Sequence, residues 1–235
     1  MEGASNKINT KKTMIVSHKY KFIYLKGHKV AGSSVLLALG RHCDEGDSVF
    51  LPAKGNPPED VWADDDWTSS RNLIGLQRES TPDNVRNKIG DTMWDEYTKV
   101  TIVRNPWDLA VSSFFWALRK KKNLENENYK IYFNDWIKHK KSWKDMKQNI
   151  SRSVDSNGNL LMDYYIKYEN LQQSYMQFCE KVGIESMRLP RLKSNIRSAR
   201  SNKTYEYFYT KESRDLVQKK VGRYIETFGY EFGEL

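Results

Sequence analysis

The stretch "FIYLKGHKVAGSSVLLAL", residues 22–39, sets glycines, serines, a histidine and a lysine between an apolar run and a helical one. Gly27 and Gly32 have the separation of the glycines in GxxxxGK[ST], the loop whose backbone N–H groups cradle phosphates. Such a turn exposes successive N–H groups, and the helix behind it adds its positive end, so an anion finds a ready-made nest. Ser33 stands where that motif has its lysine, and the lysine between the two glycines is Lys29. From within the turn, Lys29 would neutralise one anionic group without the metal-centred site of an ATPase. A plain structural turn is the competing reading, because glycine and serine are common in turns. In "VRNPWDLAVSSFFW" Arg104 emerges just past an apolar run, and Ser112 and Ser113 follow on a helical pattern. A guanidinium suits a bidentate grip on phosphate. The alternative is that Arg104 pairs with Asp108 while the serines pack inward. One serine must do so, since Val111, Ser112 and Ser113 cannot all face a ligand.

These residues need elements to hold them. "KFIYL" (21–25) reads as a short strand and "SSVLLALGR" (33–41) as a helix. Residues 44–72, with prolines and the acidic run "EDVWADDDW", hold no period and read as an irregular excursion. In "TPDNVRNKIG" (81–90) Thr81 can cap a helix, Pro82 fits its first position and Asp83 favours its positive end. "VTIV" reads as a buried strand, and after Pro106 the apolar Trp107, Ala110, Val111, Phe114 and Leu118 recur with helical spacing. Residues 160–183 read as a strand, a turn at Glu169–Asn170 and a helix stopped by Gly183. Leu216, Val217, Val221, Tyr224, Ile225 and Phe228 line one side of a C-terminal helix. Repeated strand–loop–helix units predict an α/β fold with a parallel sheet covered on both faces. We expect a flexible polar arm over residues 1–16 and a single domain over 17–235. The runs "RKKKNLENENYK" and "KHKKSWKDMKQN" read as solvated helix ends and loops.

The 235 residues carry a formal charge of +9, which favours an anionic ligand. The basic residues are spread along the chain without a zinc-finger, homeodomain or zipper pattern, so nucleic acid is not the expected partner. Cys43 and Cys179 lie far apart, and four histidines (His18, His28, His42, His139) form no metal-binding spacing, so no metal is expected. The first residues, "MEGASNKINTKKTM", have no apolar core for a signal peptide, and no run is long enough to span a bilayer. The chain reads as soluble and cytoplasmic.

"KGHKVAGSSV" followed by "VRNPWDLAVSSFF" resembles the carbohydrate and heparan-type branch of the PAPS-dependent sulfotransferases. The resemblance runs from residue 17 to 232 and includes "YENL", "LPRLKSN" and "FGYEF". It implies a three-layer fold related to nucleotide kinases, and transfer of a sulfuryl group from 3'-phosphoadenosine 5'-phosphosulfate (PAPS) to a hydroxyl or amine, with no metal. The loop for the 5'-phosphosulfate carries over onto Lys29, Val30, Ala31, Gly32, Ser33, Ser34 and Val35. The grip on the 3'-phosphate carries over onto Arg104 and Ser112. Relatives use the segment after "LP" to close over the donor or line the acceptor cleft, which brings in Arg197, Arg200 and Lys203. With Arg191 and Lys193 it is richer in charge than a donor lid needs. An acidic glycan acceptor would account for that, and so would a solvated loop. Trp62 and Trp67, flanked by Asp64, Asp65 and Asp66, offer a stacking surface for a sugar, or core packing.

The acceptor must lose a proton, so a base is expected. Many relatives place a histidine ahead of the helix that precedes the Arg–Asn–Pro strand. Here the matching stretch is "RESTPDNVR", and Glu79 takes that place. A surface glutamate paired with Arg78 or Arg86 is the bland alternative. His28 is the next candidate base and His42 a third. Outside this resemblance, an ATP-dependent small-molecule kinase and a polyanion-binding protein are the readings to separate from sulfuryl transfer.

Overall fold

The computed structural model describes residues 14–49, 81–119, 128–192 and 195–234. Five strands form one sheet: β1 (Met14–Ser17), β2 (Phe22–Leu25), β3 (Ser48–Val49), β4 (Thr98–Val103) and β5 (Tyr164–Lys167), in the order β3-β1-β2-β4-β5. The strands β2, β4 and β5 run parallel, whereas β1 is antiparallel to both β2 and β3. The sheet is therefore mixed, not parallel throughout as the sequence pattern predicts. The cause is chain length: residues 18–21 join β1 to β2, far too few for the crossover that a parallel neighbour requires. Met14 to Val16, placed by the sequence reading in the polar arm, are the first residues of β1. Four residues carry too short a pattern to reveal a strand before its partner is known.

Alternation along the strands sends side chains to two faces. Ile15, Phe22, Tyr24, Val100, Ile102 and Ile166 share one apolar cluster with helices α1 (Gly32–Gly40), α4 (Pro106–Leu118) and α7 (Leu171–Val182). Met14, Val16, Ile23 and Leu25 turn the other way, where α2 (Pro82–Ile89) supplies Val85 and α3 (Asp91–Glu96) supplies Trp94. Helices thus flank the sheet on both faces. Two more, α5 (Tyr129–Trp136) and α6 (Lys144–Ser153), pack beside α4. The short α8 (Asn195–Ser198) and the long α9 (Lys211–Phe228) complete the described helices.

The three parallel strands end on one edge, where open α/β sheets bind ligands. Residues 26–31 leave β2, Arg104 and Asn105 leave β4, and residues 168–170 leave β5. Asn105 fixes this edge. Its side-chain oxygen caps α4 by accepting from the N–H of Trp107 at 3.0 Å and of Asp108 at 3.4 Å, and Pro106 fills the first helical position. Its Nδ2 donates to the carbonyls of Glu231 and Glu234, and its own N–H donates to Glu169 Oε1 at 2.6 Å. Asn105→Ala is expected to cost roughly 1–3 kcal/mol, the lost cap plus two carbonyls left without their donor. The urea midpoint measures it; a loss below about 1 kcal/mol would show that water replaces these bonds.

Candidate active site

The first loop is held from below and from behind. Asn149 of α6 accepts the His28 N–H at 2.7 Å and donates to the His28 carbonyl at 2.7 Å, as a neighbouring strand would. Gly27 has to be glycine here: a Cβ would lie 2.8 Å from Val30 Cγ2 and 2.9 Å from Asn149 Oδ1. Tyr24 Oη donates to the Gly32 carbonyl at 3.1 Å. The chain then turns through two left-handed residues that are not glycine, Lys29 (φ 58°) and Ala31 (φ 55°). Conformations of this kind cost of order 1–3 kcal/mol each and persist only where the surroundings enforce them. Ala31 provides no side-chain cap for α1, and the first turn of that helix carries no acid. The N–H groups of Ser34 and Val35 both turn to the Ala31 carbonyl, at 3.0 and 3.5 Å. The N–H groups of Gly32 and Ser33 are left out of that pairing. Val30 and Val35 are at most 1% exposed and pack in the core, so their side chains take no part. Lys29 lays its ammonium 4.3 Å from the centre of the Trp116 ring.

Arg104 is 6% exposed. Its Nε and Nη2 donate to Asp108 Oδ2 at 2.8 and 2.5 Å, and Nη1 donates to the Lys29 carbonyl. The guanidinium also stacks on Tyr168, 3.7 Å from the ring centre. A guanidinium has five N–H donors, and these bonds use three, which leaves two for a ligand. The pairing with Asp108 and a ligand role are thus compatible, where the sequence set them against each other. Asp108 Oδ1 accepts from Arg197 Nη1 at 2.8 Å, and Arg197 Nη2 donates to the Lys203 carbonyl at 2.8 Å. Ser112 is half-buried and faces the cavity, whereas Ser113 turns away and donates to Asp145 Oδ2 at 3.2 Å.

These groups open onto one cavity of about 870 Å³. Among the described residues, Lys26, Lys29, Arg104, Arg188, Arg191, Arg197 and Lys203 line it, against the single carboxylate of Asp145. Ala31, Gly32, Ser33, Ser34 and His28 lie on its wall as well. Arg200 does not; its N–H donates to the Arg197 carbonyl at 2.9 Å, as part of the turn that ends α8. His42 sits at the far end of α1, away from the cavity, and burial lowers its pKa. Glu79, Trp62, Trp67, Asp64, Asp65, Asp66, Arg78 and Lys193 fall outside the described residues. Asp145 and Asn149 escape a reading of the sequence because "KHKKSWKDMKQN" looks like a solvated run. Their four-residue spacing on a helix is the one signal that puts them on a common face. Burial acts to raise the Asp145 pKa, but His28, Ser113 and the charge of Lys29 outweigh it and hold the carboxyl below its ordinary value. Glu169, behind Asn105, is shifted upward by burial, with the Asn105 N–H opposing.

A strand-edge cavity beside the first turn of a helix, lined mostly by cations, has the charge that suits phosphate- or sulfate-bearing ligands. Residues 12–231 match the Sulfotransferase family, and the chain belongs to that family: it is a sulfotransferase enzyme. Over 102 residues it is 26% identical to an uncharacterized protein of Archaeoglobus fulgidus, an overlap that covers 43% of this chain and 79% of that protein. No solved structure matches the chain. Among the described residues no helix is long and apolar enough to cross a membrane, and no group of three or more His, Cys, Asp or Glu side chains is placed to hold a metal ion.

The clamp on the first loop can be tested through Gly27. Gly27→Ala drives a Cβ into Asn149 and Val30, neither of which has room to yield. We expect a destabilisation of roughly 1–3 kcal/mol, the usual cost of overpacking. Thermal or urea denaturation measures it, and native stability in this variant would mean that the loop relaxes freely.

Proposed function

We propose that the enzyme transfers a sulfuryl group from PAPS to a hydroxyl of a carbohydrate acceptor, as the heparan-type branch of the family does. One observation carries the donor assignment: the loop after β2 and the Arg104–Ser112 segment after β4 face one strongly basic cavity. The donor brings a sulfuryl group joined through oxygen to a phosphate, and a second phosphate on its ribose. The residues present suit both. The Gly32 and Ser33 N–H groups, at the positive end of α1, receive the 5'-phosphate. The two remaining N–H donors of Arg104 and the Ser112 hydroxyl receive the 3'-phosphate. Lys29 meets the negative charge that builds on the departing oxygen, which is where a positioned cation lowers a barrier. Val30 and Val35 shape the loop from the core, and Arg200 is left out of the donor contacts. Arg188 and Arg191, also on the cavity wall, supply charge beyond what these contacts use, which favours a uronic-acid or already sulfated acceptor.

Calorimetry with 3',5'-bisphosphoadenosine in the presence of EDTA tests the donor site, with ATP and Mg²⁺ as the comparison for a kinase. Tight bisphosphate binding is expected; preference for ATP–Mg²⁺ would reverse the reading. Ser112→Ala separates the 3'-phosphate from the rest of the ligand. It should weaken the bisphosphate about tenfold or more, the scale of a hydrogen bond to a charged group, and leave adenosine 5'-monophosphate unchanged. Equal losses for the two nucleotides would place Ser112 elsewhere in the site.

Lys29 acts on charge that develops in the transition state, so turnover should feel its loss more than binding does. Lys29→Ala is expected to lower kcat by roughly 10²-fold or more. A normal kcat with a raised donor KM would make Lys29 a tether and nothing more.

A further inference from the structure

We infer that His28 is the general base of the transfer and that Asp145 positions it; this assignment rests on the sulfuryl-transfer reading above. His28 precedes Lys29 and lines the same cavity. Its Nδ1 lies 3.3 Å from Asp145 Oδ1, and the two side chains are 19% and 22% exposed. The second Asp145 oxygen accepts from Ser113 Oγ at 3.2 Å, so the carboxylate cannot swing away freely. Asn149, one helical turn beyond Asp145, holds the main chain of His28 through both its N–H and its carbonyl. Two helices, α4 and α6, therefore fix one imidazole.

The ring orientation decides what the histidine can do. With Nδ1 turned to a carboxylate, the ring proton sits on Nδ1 and the lone pair on Nε2. Among the described residues Nε2 has no hydrogen-bonding partner. A histidine that only shaped the turn would need neither the carboxylate nor the serine behind it, because the bonds to Asn149 already fix the turn. Burial alone would raise the Asp145 pKa, but His28, Ser113 and Lys29 pull it below the ordinary range, so it is anionic when the imidazole must accept a proton. Among the described residues, the charged groups that share the cavity with His28 are Asp145 from α6, Lys26 and Lys29 from its own loop, Arg104 after β4, and Arg188, Arg191, Arg197 and Lys203 from the segment after α7.

The step balances without a further reactant. The acceptor oxygen bonds to sulfur as its O–H breaks, and the proton goes to His28 Nε2. The bond between sulfur and the bridging oxygen breaks, its electron pair stays on the bisphosphate, and Lys29 meets that charge. Asp145 stabilises the imidazolium so formed.

Turnover is read as release of 3',5'-bisphosphoadenosine from PAPS, with water alone and with neutral and uronic-acid saccharides; bisphosphate affinity is read by calorimetry. His28→Gln should bind the bisphosphate within about twofold of the native protein while turnover falls roughly 10²–10⁴-fold. The acidic limb of the kcat–pH profile should vanish with it. Asp145→Asn should lose roughly 10²-fold or more in turnover at unchanged bisphosphate affinity, and Asp145→Glu should recover part of the loss. Native turnover in His28→Gln, with Glu79→Gln inactive in its place, overturns the base assignment and leaves the donor reading standing. A native protein that fails to bind the bisphosphate, or binds it and releases none from PAPS, overturns both. Should His28→Gln lose bisphosphate binding through misfolding, Asp145→Asn decides: an unchanged rate and pH profile there overturns the proposal.

Discussion

A guanidinium buried at the end of β4 must find acceptors for its N–H groups, and the active edge of this enzyme is arranged around that need. Arg104 takes them from Asp108 on the helix it precedes and from the Lys29 carbonyl on the neighbouring loop. Tyr168, just past β5, offers its ring face. Tyr224 of α9 uses its hydroxyl on the Arg104 main chain, accepting from the N–H at 3.2 Å and donating to the carbonyl at 3.3 Å. Asp108 in turn holds Arg197. One residue thus joins the ends of the three parallel strands, the C-terminal helix and the basic segment. Desolvating a charge pair offsets much of its Coulomb attraction, so the pair adds little net stability. Removing one partner is different, costing about 3–5 kcal/mol, because the other is left buried and unpaired. The pair specifies geometry more than it adds stability.

The first loop depends on the same economy of buried polar groups. Lys29 and Ala31 hold left-handed conformations that side chains disfavour, and no local sequence signal compensates for them. What holds them is non-local: Asn149 on the His28 peptide, Tyr24 on the Gly32 carbonyl, and Arg104 on the Lys29 carbonyl. The turn presents the Gly32 and Ser33 N–H groups outward while keeping Val30 and Val35 in the core. The left-handed residues lie on the wall of the basic cavity.

Charge in the cavity is uneven in a way that bears on chemistry. Among the described residues seven cations line it against one carboxylate, and that carboxylate touches a histidine. A cavity this basic attracts anions. Asp145 supplies a negative charge beside His28 among those lysines and arginines. Its position on α6 matters because the same helix carries Asn149, so the fold sets the imidazole and its counter-ion together.

The sequence by itself carried the helices with clear periodicity and caps, among them α2 behind Thr81, α4 behind Asn105 and Pro106, and α7 ended by Gly183. It carried the two loops as well, because glycine spacing and an arginine after an apolar strand are local facts. It also foresaw that only one of Ser112 and Ser113 could face a ligand, which follows from the 100° step between neighbours on a helix. The resemblance pointed to Ser112, and the tertiary structure shows why Ser113 turns the other way: its hydroxyl donates to Asp145. The antiparallel β1 was invisible because four residues have no period of their own and become a strand only through their pairing with β2 and β3. The pairing that leaves out the Gly32 and Ser33 N–H groups, the double use of Arg104, and the His28–Asp145 contact all join residues 75 or more positions apart, or hinge on one backbone angle. Pattern reports what repeats along the chain; such contacts repeat nowhere, and only folding brings them together.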